Sequence, residues 1–349
     1  MLIQSLKLND YRNYTNYQIQ FNPHINIIIG KNGTGKTNIL ESVIIISNTK
    51  AFRTLNDQDL IKKGKEYLKI ELQTQNNLFK VVINDKNKSL YIDNNLIKKT
   101  SDYIGKLNAI LFKPSDLQIF NDSPSERRKL LDLEIGKINK NYLNAILKYN
   151  SLLKDKNKIL KELEIDETLL SIIEESMIPN IETIINEREI FINEINKIIN
   201  NYYYKIAGKK NNIKIKYKKC CEIKKIKNEI IKAKEKDKYY HYTTFGPHHE
   251  DFEFVIDEYN VNSVASQGQK RMILISFKFA LLEYIIKQTQ ETPILLLDDI
   301  LSELDKNNQE RLLKTIPKDV QVIITNTDIN NINIDMDYKL IELKEEENV

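Results

Sequence analysis

Residues 25–46 read INIIIGKNGTGKTNILESVIII, and their order decides the fold. The run INIII is rich in β-branched isoleucine and too short for a helix, so it reads as a buried strand. A glycine-rich turn follows, and then a stretch, 38–47, that is apolar on one side and reads as a helix. Strand, glycine-rich loop and helix in this order make a nucleotide-binding α/β unit. Gly30, Lys31, Asn32, Gly33, Thr34, Gly35, Lys36 and Thr37 fill every required position of the phosphate-loop pattern. The glycines let backbone N–H groups curl around phosphate oxygens, and the helix N-terminus adds its dipole. Lys36 reaches the terminal phosphates and Thr37 offers a hydroxyl to Mg²⁺. Asn38, at the start of the helix, completes the binding stretch.

A phosphate loop of this kind needs an acidic strand end beside it. The apolar run ILLL at 294–297 leads into Asp298 and Asp299. A carboxylate at the end of such a strand lies beside the phosphates, so Asp298 reads as the Mg²⁺ partner. Asp299, one residue on, is placed to polarise an attacking water, and with Lys36 it forms the candidate catalytic pair. The competing reading for Asp299 is a cap on the following turn.

Composition bounds the rest. The chain has 349 residues with 41% hydrophobic content, enough for one large or two ordinary domains. No stretch approaches the roughly 20 apolar residues of a membrane span, and the N-terminus lacks a signal-peptide layout, so a soluble cytoplasmic protein is expected. Cys220 and Cys221 are adjacent, a spacing unsuited to an ordinary disulfide, and read as plain thiols. A net charge of +4 neither demands nor excludes nucleic acid. Lysines nevertheless crowd between Lys205 and Lys238, which reads either as a solvated face or as a nucleic-acid surface.

Along the chain, LIQSLKL, YQIQF, YLKIEL, FKVVIN, SLYID and NAILF alternate or cluster as strands, most of them as an antiparallel sheet. Between residues 125 and 200 the period changes. Ile138, Tyr142, Ala145, Tyr149, Leu152, Lys156, Ile159 and Leu163 recur at steps of four and three, the spacing of a seam facing a partner helix. A second run returns through Leu170, Ile173, Met177, Ile181, Ile184, Phe191, Ile195 and Ile198, kinked at Pro179, with EIDE as the turn. Strands and helices resume at the C-terminus with VQVIITNT, NNQERLLKTI and DYKLIELK. The expected organisation is an α/β head in two halves, 1–124 and 241–349, around a helical, coiled-coil-like arm with a lysine-rich return segment, 125–240.

Ser266, Gln267, Gly268 and Gln269 stand just ahead of a long apolar helix. They resemble the signature motif of ABC-type ATPases, and Ser302 to Asp305 resemble the D-loop of that superfamily. The plain alternative is a polar loop capping a core helix. The resemblance implies an ABC-type P-loop ATPase head, with a mixed sheet and an antiparallel β subdomain, whose signature touches the γ-phosphate on another copy. Two copies would then sandwich two ATP molecules.

The stretches LKLNDYRNY, AFRTLNDQDLIKKG, SPSERRKLLD, FGPHHEDFEF, ASQGQKRM and LLLDDILSELD stand in the order found in the RecF family, bacterial repair ATPases related to the SMC proteins. SPSERRKLLD and GPHHED are the most distinctive of them. The resemblance implies ATP-driven dimerisation on DNA, slow DNA-stimulated hydrolysis, co-operation with RecR and RecO in loading RecA at gapped DNA, and a part in the SOS response. Arg12 and Arg53 are candidates to border the nucleotide. Arg127 and Arg128 are open between ion pairing and function, and His248 reads as structural. His249 replaces the family's usual arginine, and Asn326 interrupts the threonines of residues 325–327. DNA contact should run through phosphates, because lysines are compact charges suited to the backbone. An ABC-transporter subunit would lack the arm, and an SMC-like tether would need one longer than about four heptads a leg.

Overall fold

The computed structural model describes residues 2–329 and 337–344. β1 (Ile3–Tyr11) and β2 (Tyr14–Gln20) form a hairpin that turns at Arg12, whose φ is +52°. β3 (Ile25–Ile29) enters the glycine-rich loop and α1 (Lys36–Asn48) leaves it. β4 (Tyr67–Thr74), β5 (Leu78–Asn84), β6 (Lys88–Ile92) and β7 (Asn95–Ile97) make a meander, followed by α2 (Thr100–Tyr103) and β8 (Ala109–Phe112). Then come α3 (Pro124–Ile138), α4 (Lys140–Ile159), α5 (Glu167–Ala207), β9 (Ile213–Lys218) and α6 (Ile226–Tyr240). β10 (Asp251–Ile256), β11 (Tyr259–Asn260), α7 (Val261–Val264) and α8 (Gln267–Thr289) follow. The last elements are β12 (Ile294–Asp298), α9 (Lys306–Thr315), β13 (Val322–Asn326) and β14 (Tyr338–Glu342). None of the described helices is long and apolar enough to cross a membrane.

The chain divides into two compact units. One comprises residues 1–116, 201–209 and 274–349, the other 117–200 and 210–273. In the first, β14-β3-β13-β12-β8 form a sheet whose pairs are all parallel, while β2-β1-β4-β5-β6-β7 form an antiparallel sheet. The strands of the parallel sheet read as continuous apolar runs because both faces are covered, as in Ile294 to Leu297, all fully buried. β4 and β5 alternate instead, burying one face. The helix after the loop is buried on every side rather than one, since α1 packs against strands of both sheets.

In the second unit the seam holds from Tyr142 to Ile159 but not beyond. Asn139 caps α4 through its side chain to the Tyr142 N–H, which places Ile138 in α3, and Leu163 lies exposed in the turn. α5 runs unbroken through Pro179 for 41 residues. The lysine-rich return is not a plain connector. Its segment IKIKYK is β9, with Ile213 and Ile215 inward, paired antiparallel to β10. Its second part forms α6.

Arg188, 1% exposed, is the polar centre of this unit. Its guanidinium donates to Glu250 Oε2 at 2.7 Å, Asp132 Oδ1 at 2.7 Å, the Tyr142 hydroxyl at 3.0 Å and the Pro247 carbonyl at 3.0 Å. Arg127 grips Asp251 with two bonds of 2.7 Å, and Arg128 donates to the Glu250 carbonyl at 2.6 Å. The two stretches most distinctive in the sequence, 123–132 and 246–251, are therefore hydrogen-bonded to each other, and the arginines open between two readings have a structural task. A separate buried charge, Lys156, lies 2.8 Å from both Glu174 and Asp237, tying α4, α5 and α6.

His248 is structural too. Its Nε2–H donates to the Thr243 carbonyl at 3.1 Å, so Nδ1 accepts from the Tyr149 hydroxyl. Burial, with His249 adding repulsion, pushes its pKa down to about 4.

Two outcomes are expected. Arg188→Met leaves the buried Glu250 carboxylate without its counter-charge and should cost about 3–5 kcal/mol in urea unfolding. For His248 the folded pKa lies below the unfolded value of about 6.5, so the unfolded chain binds more protons in between. Stability should fall as pH drops from about 6.5 to about 4, and His248→Gln should flatten that slope in thermal melts at a series of pH values.

Candidate nucleotide-binding site

The site is built in the first unit where β3, β12 and β13 end together. Parallel register sets Asp298 opposite Thr325 and Asn326 opposite Ile29, the residue before the loop. Gly33 and Gly35 have φ of +91° and +100°, which side chains other than glycine rarely adopt. A Cβ on Gly35 would also lie 2.5 Å from the Tyr14 hydroxyl, so no other residue fits there. Lys31, Asn32 and Gly33 form an exposed crest. Gly35 is the N-cap of α1 and supplies no side-chain cap, which leaves first-turn N–H groups without a side-chain acceptor. Lys36 folds back over the loop, donating to the carbonyls of Gly30 and Lys31 at 2.5 and 2.8 Å. Burial lowers its pKa, while the charges of Asp299 and Asp298 act to raise it.

Thr37 Oγ1 donates to Asp298 Oδ1 at 3.0 Å, and Thr325 Oγ1 donates to the same oxygen at 2.8 Å. Burial raises the Asp298 pKa against these two bonds. Asp299 turns sharply off the strand at φ +53°, held by its N–H to the Thr325 carbonyl at 3.2 Å. Its Oδ1 is buried with no hydrogen-bond partner among the described residues. It does not cap the next turn, Leu301–Glu303, whose N-cap is Ile300 with no side-chain bond. Asn326 is fully buried, its Oδ1 accepting from the Thr327 N–H at 2.6 Å and its Nδ2 left without a partner. The acceptor Asp299 Oδ1 and the donor Asn326 Nδ2, each one residue past the Asp298–Thr325 pair, thus lack partners among the described residues.

These residues fit a nucleotide phosphate and a divalent cation. The left-handed glycines and the helix start offer N–H groups to an anion, and Thr37 with Asp298 offers two oxygens to a cation. Among the described residues no group of three or more His, Cys, Asp or Glu could hold a metal alone, so phosphate and water oxygens would supply the other ligands of Mg²⁺.

One residue sequence reasoning passed over organises the rim. Glu41 of α1, 0% exposed, accepts from Tyr11 at 3.1 Å and from Arg12 at 2.8 Å, and lies 3.5 Å from Arg53. Arg53 also donates to Asn38, which donates to Asn13 at 2.7 Å. The signal in the sequence was one acid set within the apolar stretch of the helix, between Leu40 and Val43. Arg12 and Arg53 are therefore brought together, on a shared buried carboxylate.

The other predicted residues have local tasks. Ser302 Oγ donates to the Asp299 carbonyl at 2.7 Å, and Asp305 caps α9 through the Asn308 N–H at 2.9 Å. In the second unit Ser266 and Gln269 form a reciprocal capping box for α8. Ser266 Oγ accepts from the Gln269 N–H at 3.2 Å and Gln269 Oε1 accepts from the Ser266 N–H at 2.9 Å. Gln267 opens the helix, and a Cβ on Gly268 would meet nothing within 4 Å.

Residues 2–348 match the RecF/RecN/SMC N terminal domain family. The DNA replication and repair protein RecF of Oenococcus oeni is 36% identical over 99% of this chain and 98% of its own length. That of Streptococcus suis is 35% identical over 95% and 94%. Among solved structures, the recombination mediator protein RecF-ATPrS in the RecFOR pathway is similar with a TM-score of 0.88 and 29% identity, over 98% of this chain and 96% of that one. The Smc head domain of Pyrococcus furiosus shares the fold at 16% identity and a TM-score of 0.57. The glycine-rich loop and the acidic strand end thus sit on a fold matched over nearly the whole chain, and the chain belongs to the RecF family of DNA replication and repair proteins.

Proposed function

We propose that the chain is an ATP-dependent DNA-binding protein of recombinational repair and gap processing, working in the cytoplasm as a slow, DNA-stimulated ATPase. On this reading residues 1–124 and 241–349 act as the ATPase head and 125–240 as the arm. The observation that carries it is the partnerless Asp299 Oδ1 next to the Thr37–Asp298 hydrogen bond. A buried carboxylate oxygen without a donor is costly, and it is retained where a substrate or water completes it.

The backbone of residues 30–38 and the Lys36 ammonium bind the phosphates of ATP. Thr37 and Asp298 hold Mg²⁺, which neutralises phosphate charge when bound. Asp299 orients a water and accepts its proton. Lys36 lies in the field of both carboxylates, and its ammonium is poised to trade the carbonyls of Gly30 and Lys31 for phosphate oxygens.

The signature stretch serves a second copy. Ser266 and Gln269 use only acceptor oxygens in the capping box, so the Ser266 O–H and the Gln269 side-chain NH₂ remain to meet the partner's γ-phosphate beside the N–H groups at Gln267 and Gly268, where open space meets a helix start. Ser302 and Asp305 line the same interface. Two chains sandwich two ATP molecules, and the dimer grips DNA through phosphates. RecR and RecO are its partners, with RecA loading at gaps and the SOS response downstream.

Asp299→Asn should cut hydrolysis by about a hundredfold or more while the ATP-bound dimer accumulates. Phosphate release and sedimentation check this, and undiminished hydrolysis would remove Asp299 from its role. Gly268→Gln places a better helix former in open space, so the fold should hold or gain up to about 1 kcal/mol. It should bind ATP like the parent chain yet sediment as a monomer in its presence; a normal ATP-dependent dimer would refute the trans contact.

A further inference from the structure

The lysine-rich return segment ends in three aromatic rings that the fold does not use. Tyr239, Tyr240 and Tyr242 are 78%, 48% and 48% exposed. Tyr239 meets Tyr240 edge to face at 5.1 Å between ring centroids, and Tyr240 meets Tyr242 at 5.9 Å. Large rings left in water at this exposure are not core residues, and none of their hydroxyls bonds to protein among the described residues.

The mount beneath them is fixed on both sides. His241, between the rings, takes the left-handed conformation that ends α6, and its ring N–H donates to the Leu160 carbonyl at 2.8 Å. The Thr243 N–H donates to Asn157 Oδ1 at 2.7 Å and the Thr244 N–H to Asp237 Oδ1 at 2.7 Å. Asp237 is in turn pinned by Lys156. The rings are therefore held on an ordered turn and lose little freedom on meeting a partner.

Charge identifies the partner. Along residues 223–240, Lys224, Lys225, Lys227 and Lys236 are exposed without an ion pair among the described residues, Lys232 is held by Glu229 at 2.9 Å, and Glu235 is the exposed acid of the stretch. Lys236 stands three and four residues before Tyr239 and Tyr240, one helical turn away on the same face. Lysines that track a phosphate backbone, beside aromatic rings that present flat faces, are the two components of single-strand binding. A duplex hides its base faces and would engage the lysines alone.

We propose that Tyr239, Tyr240 and Tyr242 form a stacking platform for unpaired bases of single-stranded nucleic acid, with the exposed lysines of α6 guiding its backbone. This rests on the DNA-binding reading above and names the part of the DNA this surface takes.

The test uses the full chain with ATP and fluorescence anisotropy of three labelled probes: oligo-dT, an abasic strand of equal length, and a duplex. The parent chain should bind oligo-dT more tightly than the abasic strand. Joint Tyr239→Ala, Tyr240→Ala and Tyr242→Ala substitution should weaken oligo-dT binding by about tenfold or more and leave duplex binding unchanged. The corresponding Phe substitutions, which keep the rings, should restore oligo-dT binding. Equal binding of oligo-dT by the Ala variant and the parent, equal binding of abasic and dT strands, or no oligo-dT binding by the parent chain would each overturn the platform. Failure of the parent chain to bind the duplex would count instead against the DNA-binding reading on which it rests.

Discussion

The hydrogen bond from Thr37 to Asp298 joins residues 261 positions apart, and the arrangement of the nucleotide site depends on it. It forms because β3, β13 and β12 run parallel and end level, so the loop after β3 and the acid at the end of β12 open at one edge. Thr325, on the strand between them, fastens Asp298 from the other side. Ligands in open α/β sheets gather at the carboxyl ends of strands, and here the same edge carries the glycine loop, both aspartates and Asn326, whose Nδ2 has no partner among the described residues. A slip of one residue in β12 would turn Asp298 away from Thr37, so the chemistry is specified by sheet register as much as by residue type.

A second constraint governs the helical unit. Arg188 is a charge almost wholly removed from water, and such a charge is tolerated only when its donors are met. Asp132, Tyr142, Pro247 and Glu250 meet them from segments far apart in sequence. Glu250 is itself satisfied by Arg188, Tyr217 and the Cys220 N–H, which ties β9 into the same network. Beside it, burial and then the Glu250 charge push the Cys220 thiol far above its ordinary range. This network explains why stretches 123–132 and 246–251 carry so many charged and ring residues with no nucleotide nearby in sequence.

Much of the fold was legible because local pattern and tertiary role agree. The phosphate loop declares itself through glycines whose φ values only glycine adopts easily, and the parallel strands through isoleucine and leucine runs that need two covered faces. Where they disagree, pattern misled. β9 was hidden because its lysines alternate outward and resemble a charged linker, although Ile213 and Ile215 mark the inward face. The seam through α4 was extended to Ile138 and Leu163 because a period of three and four does not reveal where a cap such as Asn139 breaks it. Glu41 was passed over because its value lies in Arg12, on the β1–β2 turn, and Arg53, on the segment after α1, which meet it only in the folded chain.

By itself the sequence determined which groups are present: a phosphate loop at residues 30–37, paired acids at 298 and 299, a serine and glutamine spaced to cap α8, and a lysine-rich stretch ending in tyrosines. These follow from residue types at short spacing, which local stereochemistry dictates. Only the tertiary structure decided which of them are already satisfied. Acceptor oxygens of Ser266, Gln269 and Asp305 serve caps, and Arg127 and Arg128 are bonded to Asp251 and the Glu250 carbonyl, whereas Asp299 Oδ1, Asn326 Nδ2 and the hydroxyls of Tyr239, Tyr240 and Tyr242 have no hydrogen-bond partner among the described residues. Hydrogen-bond satisfaction and burial are set by neighbours distant in sequence, and no local spacing encodes them.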